Sequence, residues 1–193
     1  QGRDIKRWRI DYKNMYLIFT RRGISVNNYP SVKNYLKQFK EILTPRNHGE
    51  KIGRKPGDYQ WYEIQDSTKY YPEFEKEKII WGLTADKWAF AYDDTGYYLP
   101  SNGYILTSSV ISIKYLLSLI NSKLMMFYFD FIGIMTAGGA YTLKQETVRE
   151  FPIKEISDSL QKPFIHKVES ILQLNYNFQE EVNGFKHWIQ KEF

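Results

Sequence analysis

One stretch constrains this chain more than any other. Residues 112–131 (SIKYLLSLINSKLMMFYFDF) place Ile113, Leu116, Leu117, Ile120, Leu124, Phe127, Tyr128 and Phe131 along one side of a helix. That surface has to be hidden, in lipid or in protein. The length nearly suits a bilayer. Lys114, Ser118, Asn121, Ser122, Lys123 and Asp130 interrupt it, however, and charges are costly in hydrocarbon. The stretch therefore predicts a core helix of a globular fold. An apolar share of 42% and an aromatic share of 17% supply enough material for such a core.

The remaining pattern predicts an α+β fold: a twisted, mainly antiparallel sheet packed by two helices, then a C-terminal helical segment. Trp8, Ile10 and Tyr12 alternate with polar residues as in a half-buried strand, and Met15–Phe19 (MYLIF) reads as a more deeply buried one. Val32, Tyr35, Leu36, Phe39, Ile42 and Leu43 form one helical stripe over 30–43. Pro30 suits its first turn and Pro45 stops it. Residues 44–58 (TPRNHGEKIGRKPGD) form a loop. Strands are expected at 59–64 and 78–83, and a hairpin from 87–92 and 97–99 with 104–108. Gly138-Gly139 belongs to a loop at 136–145, and Phe151-Pro152-Ile153 to a short extended segment. Leu160, Phe164, Val168, Ile171 and Leu172 open a third helix near 159, and Val182, Phe185, Trp188 and Ile189 define a last amphipathic piece.

Several chemistries find no support. There is no cysteine, which removes disulfides, thiolate zinc sites and a cysteine nucleophile. His48, His166 and His187 are not at metal-ligand spacing. No G-x-S-x-G, H-E-x-x-H, Walker-type loop or G-x-G-x-x-G is found. Asp4-Ile5-Lys6 and Asp11-Tyr12-Lys13 give only D-x-K pairs. The run Glu73, Glu75, Glu77 alternates with Phe74, Lys76 and Lys78, which reads as a polar face. No catalytic residue and no metal ligand is expected.

Charge is more informative. The net charge is +5, but residues 1–58 carry 14 Lys/Arg against 5 Asp/Glu, and residues 59–193 carry 13 against 17. A basic half of this kind is the footprint of a polyanion-binding face. The loop at 44–58 supplies Arg46, Lys51, Arg54 and Lys55 beside Tyr59, Trp61 and Tyr62, which suit stacking or burial.

The order of motifs then resembles a known family. It runs from Gly2-Arg3-Asp4-Ile5-Lys6-Arg7-Trp8 through Tyr16-Leu17-Ile18, Tyr29-Pro30, Tyr35-Leu36 and Phe39-Lys40 to Leu43 and Arg46. It continues with Trp61-Tyr62-Glu63-Ile64, Phe74, Lys78-Ile79-Ile80, Phe90-Ala91-Tyr92-Asp93 and Gly96-Tyr97-Tyr98. Tyr115-Leu116-Leu117, Leu119 to Leu124 (LINSKL), Gly139, Tyr141 and Pro152-Ile153 complete it. This resembles the TaqI-like C-terminal specificity domain, the target recognition module of adenine-specific DNA methyltransferases and type IIG restriction-modification enzymes. The LINSKL helix also resembles recognition domains of type I specificity subunits.

The resemblance implies a DNA target recognition domain over 1–155 and a helical extension over 156–193. It implies double-stranded DNA as partner, together with a methyltransferase domain of the same parent chain, with no membrane and a cytoplasmic location. The N-P-P-[YF] motif and the S-adenosylmethionine glycine motif of the catalytic part are not found here. The resemblance thus implies a non-catalytic piece that holds no cofactor. S-adenosylmethionine, and magnesium if a nuclease is fused, would serve the parent. Lys78, Asn121 and Pro152 are expected to build the scaffold. The candidate DNA contacts are Arg46, His48, Lys51, Arg54 and Lys55, then Thr84, Lys87 and Trp88, then Tyr141 and Lys144. The alternative is a protein-interaction module docking through the C-terminal helices.

Overall fold

The computed structural model describes residues 1–192. The chain forms two compact units, one of Gln1–Lys13 with everything from Glu73 onward, the other of Asn14–Pro72. The larger unit opens with β1 (Ile5–Lys6) and β2 (Arg9–Ile10), paired antiparallel with Ile5 opposite Ile10. Trp8 turns the chain between them at φ 74° and donates its N–H to the Phe90 carbonyl at 3.0 Å.

The smaller unit departs most from the sequence reading. The single helix expected over 30–43 is two, α1 (Pro30–Lys37) and α2 (Lys40–Leu43), and neither buries a residue. Gln38 and Phe39 separate them, donating to the carbonyls three residues back. Met15–Phe19 is neither strand nor core. Tyr16 is 85% exposed, and no described strand pairs with the segment. The strand expected at 59–64 is a set of turns. The Glu63 carboxylate organises it by accepting from Gly23 N at 2.6 Å and Gln60 N at 2.8 Å. Such side-chain bonds compete with a strand ladder for the same backbone donors.

In the larger unit β3 (Lys78–Gly82) is buried at all five positions. β4 (Thr84–Ala85), β5 (Ala91–Asp93) and β6 (Gly103–Leu106) follow. The expected hairpin between the last two does not form. β3 lies between them, with Ile79 opposite both Tyr92 and Leu106. A strand buried on both faces needs a ladder on both edges, and these two segments provide it. Side chains of β3 alternate in period two. Ile79 and Trp81 enter the main core with Phe90, Leu117, Ile120 and Phe129, whereas Ile80 joins Ile5 and Ala91 in a second cluster.

The 112–131 stretch is likewise two helices, α3 (Ile113–Ile120) and α4 (Lys123–Ile132). Ser112 caps the first through Tyr115 N at 3.5 Å, and Ser122 caps the second through Met125 N at 3.0 Å. Strands β7 (Ile134–Met135) and β8 (Tyr141–Thr142) make a hairpin that pairs with β4. Gly139, at φ 78°, sits in its turn, as a turn-forming glycine should. A short helix missed in the sequence, α5 (Gln145–Arg149), precedes α6 (Asp158–Glu192), a single helix where two pieces were expected. The fold is α+β with antiparallel ladders. The helices of the sheet unit are α3, α4, α5 and α6, whereas α1 and α2 belong to the other unit. No described helix is long and apolar enough to cross a membrane.

Candidate nucleic-acid interface

The candidate residues fall in two places, one in each unit. In the smaller unit, the loop after α2 is closed by paired bonds, Arg46 N to Arg54 O and Arg54 N to Thr44 O, both 3.0 Å. Gly53 permits this closure at φ +108°, where a Cβ would lie 2.6 Å from the Thr44 carbonyl. Arg54 does not face outward. Its guanidinium donates to the carbonyls of Leu43 (2.5 Å), Glu63 (2.8 Å) and Trp61 (3.1 Å), and lies 4.7 Å from the Tyr59 ring centre. Arg54 is a half-buried staple of the unit, its guanidinium already donating to backbone carbonyls.

Arg46, His48, Lys51 and Lys55 are exposed. Arg46 and Lys51 line a hollow of about 500 Å³, but Glu41 and Glu50 line it too. The Asn47 backbone and side-chain amides hold the Glu50 carboxyl below the ordinary carboxylate range. The positive field of this loop is thus partly cancelled where it is most concave.

The larger unit holds a more basic depression. A hollow of about 810 Å³ is lined by Arg3, Lys6, Arg7, Arg9 and Lys87, with Asp86 the one acid among its lining residues. Thr84, Trp88 and Tyr141 also line it, so four of the expected residues meet there: Thr84, Lys87, Trp88 and Tyr141. Lys144 is exposed and caps α5, outside the lining. Trp88 forms the floor but is 3% exposed, and its Nε1–H donates to the Ile120 carbonyl at 2.9 Å. Ring contacts with Phe90, Phe129 and Tyr141 complete its packing. Trp88 is therefore a core residue, not a stacking platform, because no base can reach it without unpacking the core.

The four cations at the start of the chain were not among the expected contacts, although their clustering was visible: Arg3, Lys6, Arg7 and Arg9 fall within seven positions. The strand pattern of Trp8 and Ile10 took precedence over the charges between them. Lys6 and Arg9 are register partners. Arg7 is pinned from behind, donating through Nη2 to the Asn121 carbonyl, while Asn121 Nδ2 donates to the Phe90 carbonyl at 2.9 Å. Arg9 is held by Asp11 at 2.8 Å. Among the described residues, Arg7 Nε and Asn121 Oδ1 are the buried side-chain polar atoms lacking a partner.

The acidic run does not form a metal site. Glu73 pairs with Lys76 at 2.6 Å, Glu75 accepts from the Tyr98 hydroxyl at 2.8 Å and Glu77 from the Tyr92 hydroxyl at 2.7 Å. Burial first, then Glu77, pushes the Tyr92 phenol well above its ordinary value. Among the described residues no three His, Asp or Glu side chains gather around a point where a cation could sit.

Residues 1–153 match the family model of the TaqI-like C-terminal specificity domain. The chain belongs to that family. The match covers β1 to β8 and α1 to α5 and stops before α6. Two expected scaffold positions of this specificity domain are internal. Lys78 is fully buried, pairs with Asp93 at 2.5 Å and donates to the Phe74 carbonyl at 2.5 Å. Asp93 in turn accepts from Thr95 N, Thr95 Oγ1 and Tyr97 N. Asn121 joins α3 to β5's approach through Phe90. Pro152 is exposed at the end of the matched region.

Proposed function

We propose that this specificity domain binds double-stranded DNA through the hollow formed by Arg3, Lys6, Arg7, Arg9 and Lys87. The proposal includes a parent chain in which the domain positions an N6-adenine methyltransferase on its site. S-adenosylmethionine would be used by that catalytic part, as would magnesium if a nuclease is present. The observation that carries the reading is five cations around one depression with a single acid. A duplex presents phosphates at close, regular spacing, and a concave basic surface set on short strands matches that array. Phosphate contacts fix position, and base contacts supply sequence. Lys87 and Thr84, on the segment crossing the hollow, are the candidates for base edges, and Lys87 can donate to guanine acceptors in the major groove. Arg46, His48, Lys51, Lys55, Tyr141 and Lys144 remain secondary contacts in this proposal.

The test is fluorescence anisotropy of a labelled duplex pool against salt. Each phosphate contact contributes about 0.9 to the slope of log affinity against log salt. Replacing Arg3, Lys6 and Lys87 by Ala should flatten the slope by about 2 to 3. Replacing Arg46, Lys51 and Lys55 should flatten it less. An unchanged slope in the first variant removes the hollow from the interface. The exposed side chains at those three positions make it a clean test, whereas Arg54 would confound binding with folding.

A further inference from the structure

α6 packs against α3 with one face. Gln161 and Val168 are buried there, and Tyr115 meets the Phe164 ring at 5.3 Å. The apolar pattern does not end where that packing ends. Val168, Ile171, Asn175, Phe178, Val182, Phe185 and Ile189 alternate at spacings of 3 and 4, the a/d repeat of a coiled coil. In its C-terminal part this seam is open: Phe178 is 55% exposed, Phe185 60% and Ile189 38%. On a regular helix these residues centre roughly a quarter-turn around from the α3 face. A second helix laid on them would run beside α3, not through it.

We propose that the C-terminal part of α6 pairs with α6 of a second copy of this chain, parallel and in register. The reading is independent of the DNA interface. Three features select this occupant. Val182 and Ile189 are β-branched at a positions, as in two-stranded parallel coils, with Phe178 and Phe185 in place of the usual Leu at d. Asn175 occupies another a position. It donates one amide hydrogen to the Ile171 carbonyl at 2.9 Å, leaving its oxygen and second hydrogen for the same residue of a partner. Parallel pairing sets Asn175 against Asn175, whereas antiparallel pairing sets it against an apolar d residue. The third feature is charge. Glu181 falls at g and Lys186 at the following e position, five residues on. In a parallel pair each Glu181 faces the other chain's Lys186, twice by symmetry. Both side chains are exposed, and no ion pair among the described residues uses either.

The chain has no cysteine, so one introduced thiol reports geometry directly. Ile189→Cys places two thiols across an a layer within disulfide reach in the parallel pair. Glu180→Cys, at the outward f position, does not. Ile189→Cys should oxidise to a covalent dimer at least tenfold faster than Glu180→Cys. Sedimentation of the unmodified chain should show a concentration-dependent mass reaching two copies. Phe178→Glu with Phe185→Glu should shift that equilibrium to monomer by at least tenfold. Circular dichroism at unchanged helix content separates this loss from unfolding. Glu181→Lys alone should weaken the dimer, and adding Lys186→Glu should restore it. A monomer across all concentrations, equal oxidation at the two positions, or no rescue by the double charge exchange overturns the proposal.

Discussion

Trp88 and Arg54 have the chemistry of nucleic-acid contacts and the surroundings of structural residues, and substitutions separate the two roles. Trp88→Ala should cost about 3–5 kcal/mol by opening the core among Phe90, Phe129 and Phe151. Trp88→Phe should cost less, about 1–3 kcal/mol, because it keeps a ring and gives up the bond to Ile120. Urea unfolding checks both. If Trp88 stacked on bases instead, stability would hold and DNA affinity alone would fall. The buried Lys78–Asp93 pair makes a sharper case. Asp93→Asn leaves an ammonium in the core without its counter-charge and should cost about 3–5 kcal/mol, read from the same unfolding curves. These residues also show why candidate sites are hard to read from sequence. Lysine, arginine and tryptophan carry the same formula inside and outside. Only the carbonyls around Arg54 and Trp88 reveal that their donors are already used.

At the scale of elements, caps and partners decided what periodicity did not. The apolar face of Ile113, Leu116, Leu117 and Ile120 was legible, but beyond the break at Asn121-Ser122 the buried side changes: Met125 and Phe129 face the core, whereas Leu124, Phe127 and Phe131, expected on the buried face, are exposed. Ser122 was read as an interruption of the stripe when it is an N-cap. Ser122→Ala should cost about 1 kcal/mol, measurable as a lowered melting temperature. β3 was legible because all its side chains are apolar or paired. Met15–Phe19 was misread because an apolar run becomes a strand only where another strand receives it. Tertiary ties have a pH signature as well. Lys114 of α3 binds Glu169 of α6 at 2.8 Å and holds that carboxyl below its ordinary value. A depressed carboxyl stabilises the fold above its unfolded titration range, and that contribution fades as pH falls through the folded value. The melting difference between the parent chain and Lys114→Met should therefore shrink from neutral pH toward pH 3.

For the molecule as a whole, the charge asymmetry was legible, but how the fold divides the cations between its two units was not. The basic residues are concentrated in the first 58 positions, and the most conspicuous loop there, 44–58, supplied the first candidates. Four cations of the other group lie in the first nine residues and serve the unit completed far downstream. That separation predicts an electrostatic division of labour. Charge removal at Arg3 and Lys6 should lower affinity for every duplex alike, whereas changes at Thr84 and Lys87 should alter which duplexes are retained by a random pool.

The discontinuous larger unit has a consequence in time. Ile5 belongs beside Ile80 and Ala91, and the Asn121 carbonyl that pins Arg7 is made more than a hundred residues after it. During synthesis at about 5–20 residues per second, the first strands emerge several seconds before β3 exists. Through that interval β1 and β2 lack β3 to pack against, and Asn14–Pro72 is completed before β3 is made. The order of manufacture thus runs opposite to the order of burial: the chain's first residues are among the last to be locked. A ribosome-stalled nascent chain whose exposed part ends shortly after Pro72 should protect the backbone amides of Arg46 and Arg54 from exchange while leaving those of Ile5 and Ile10 open.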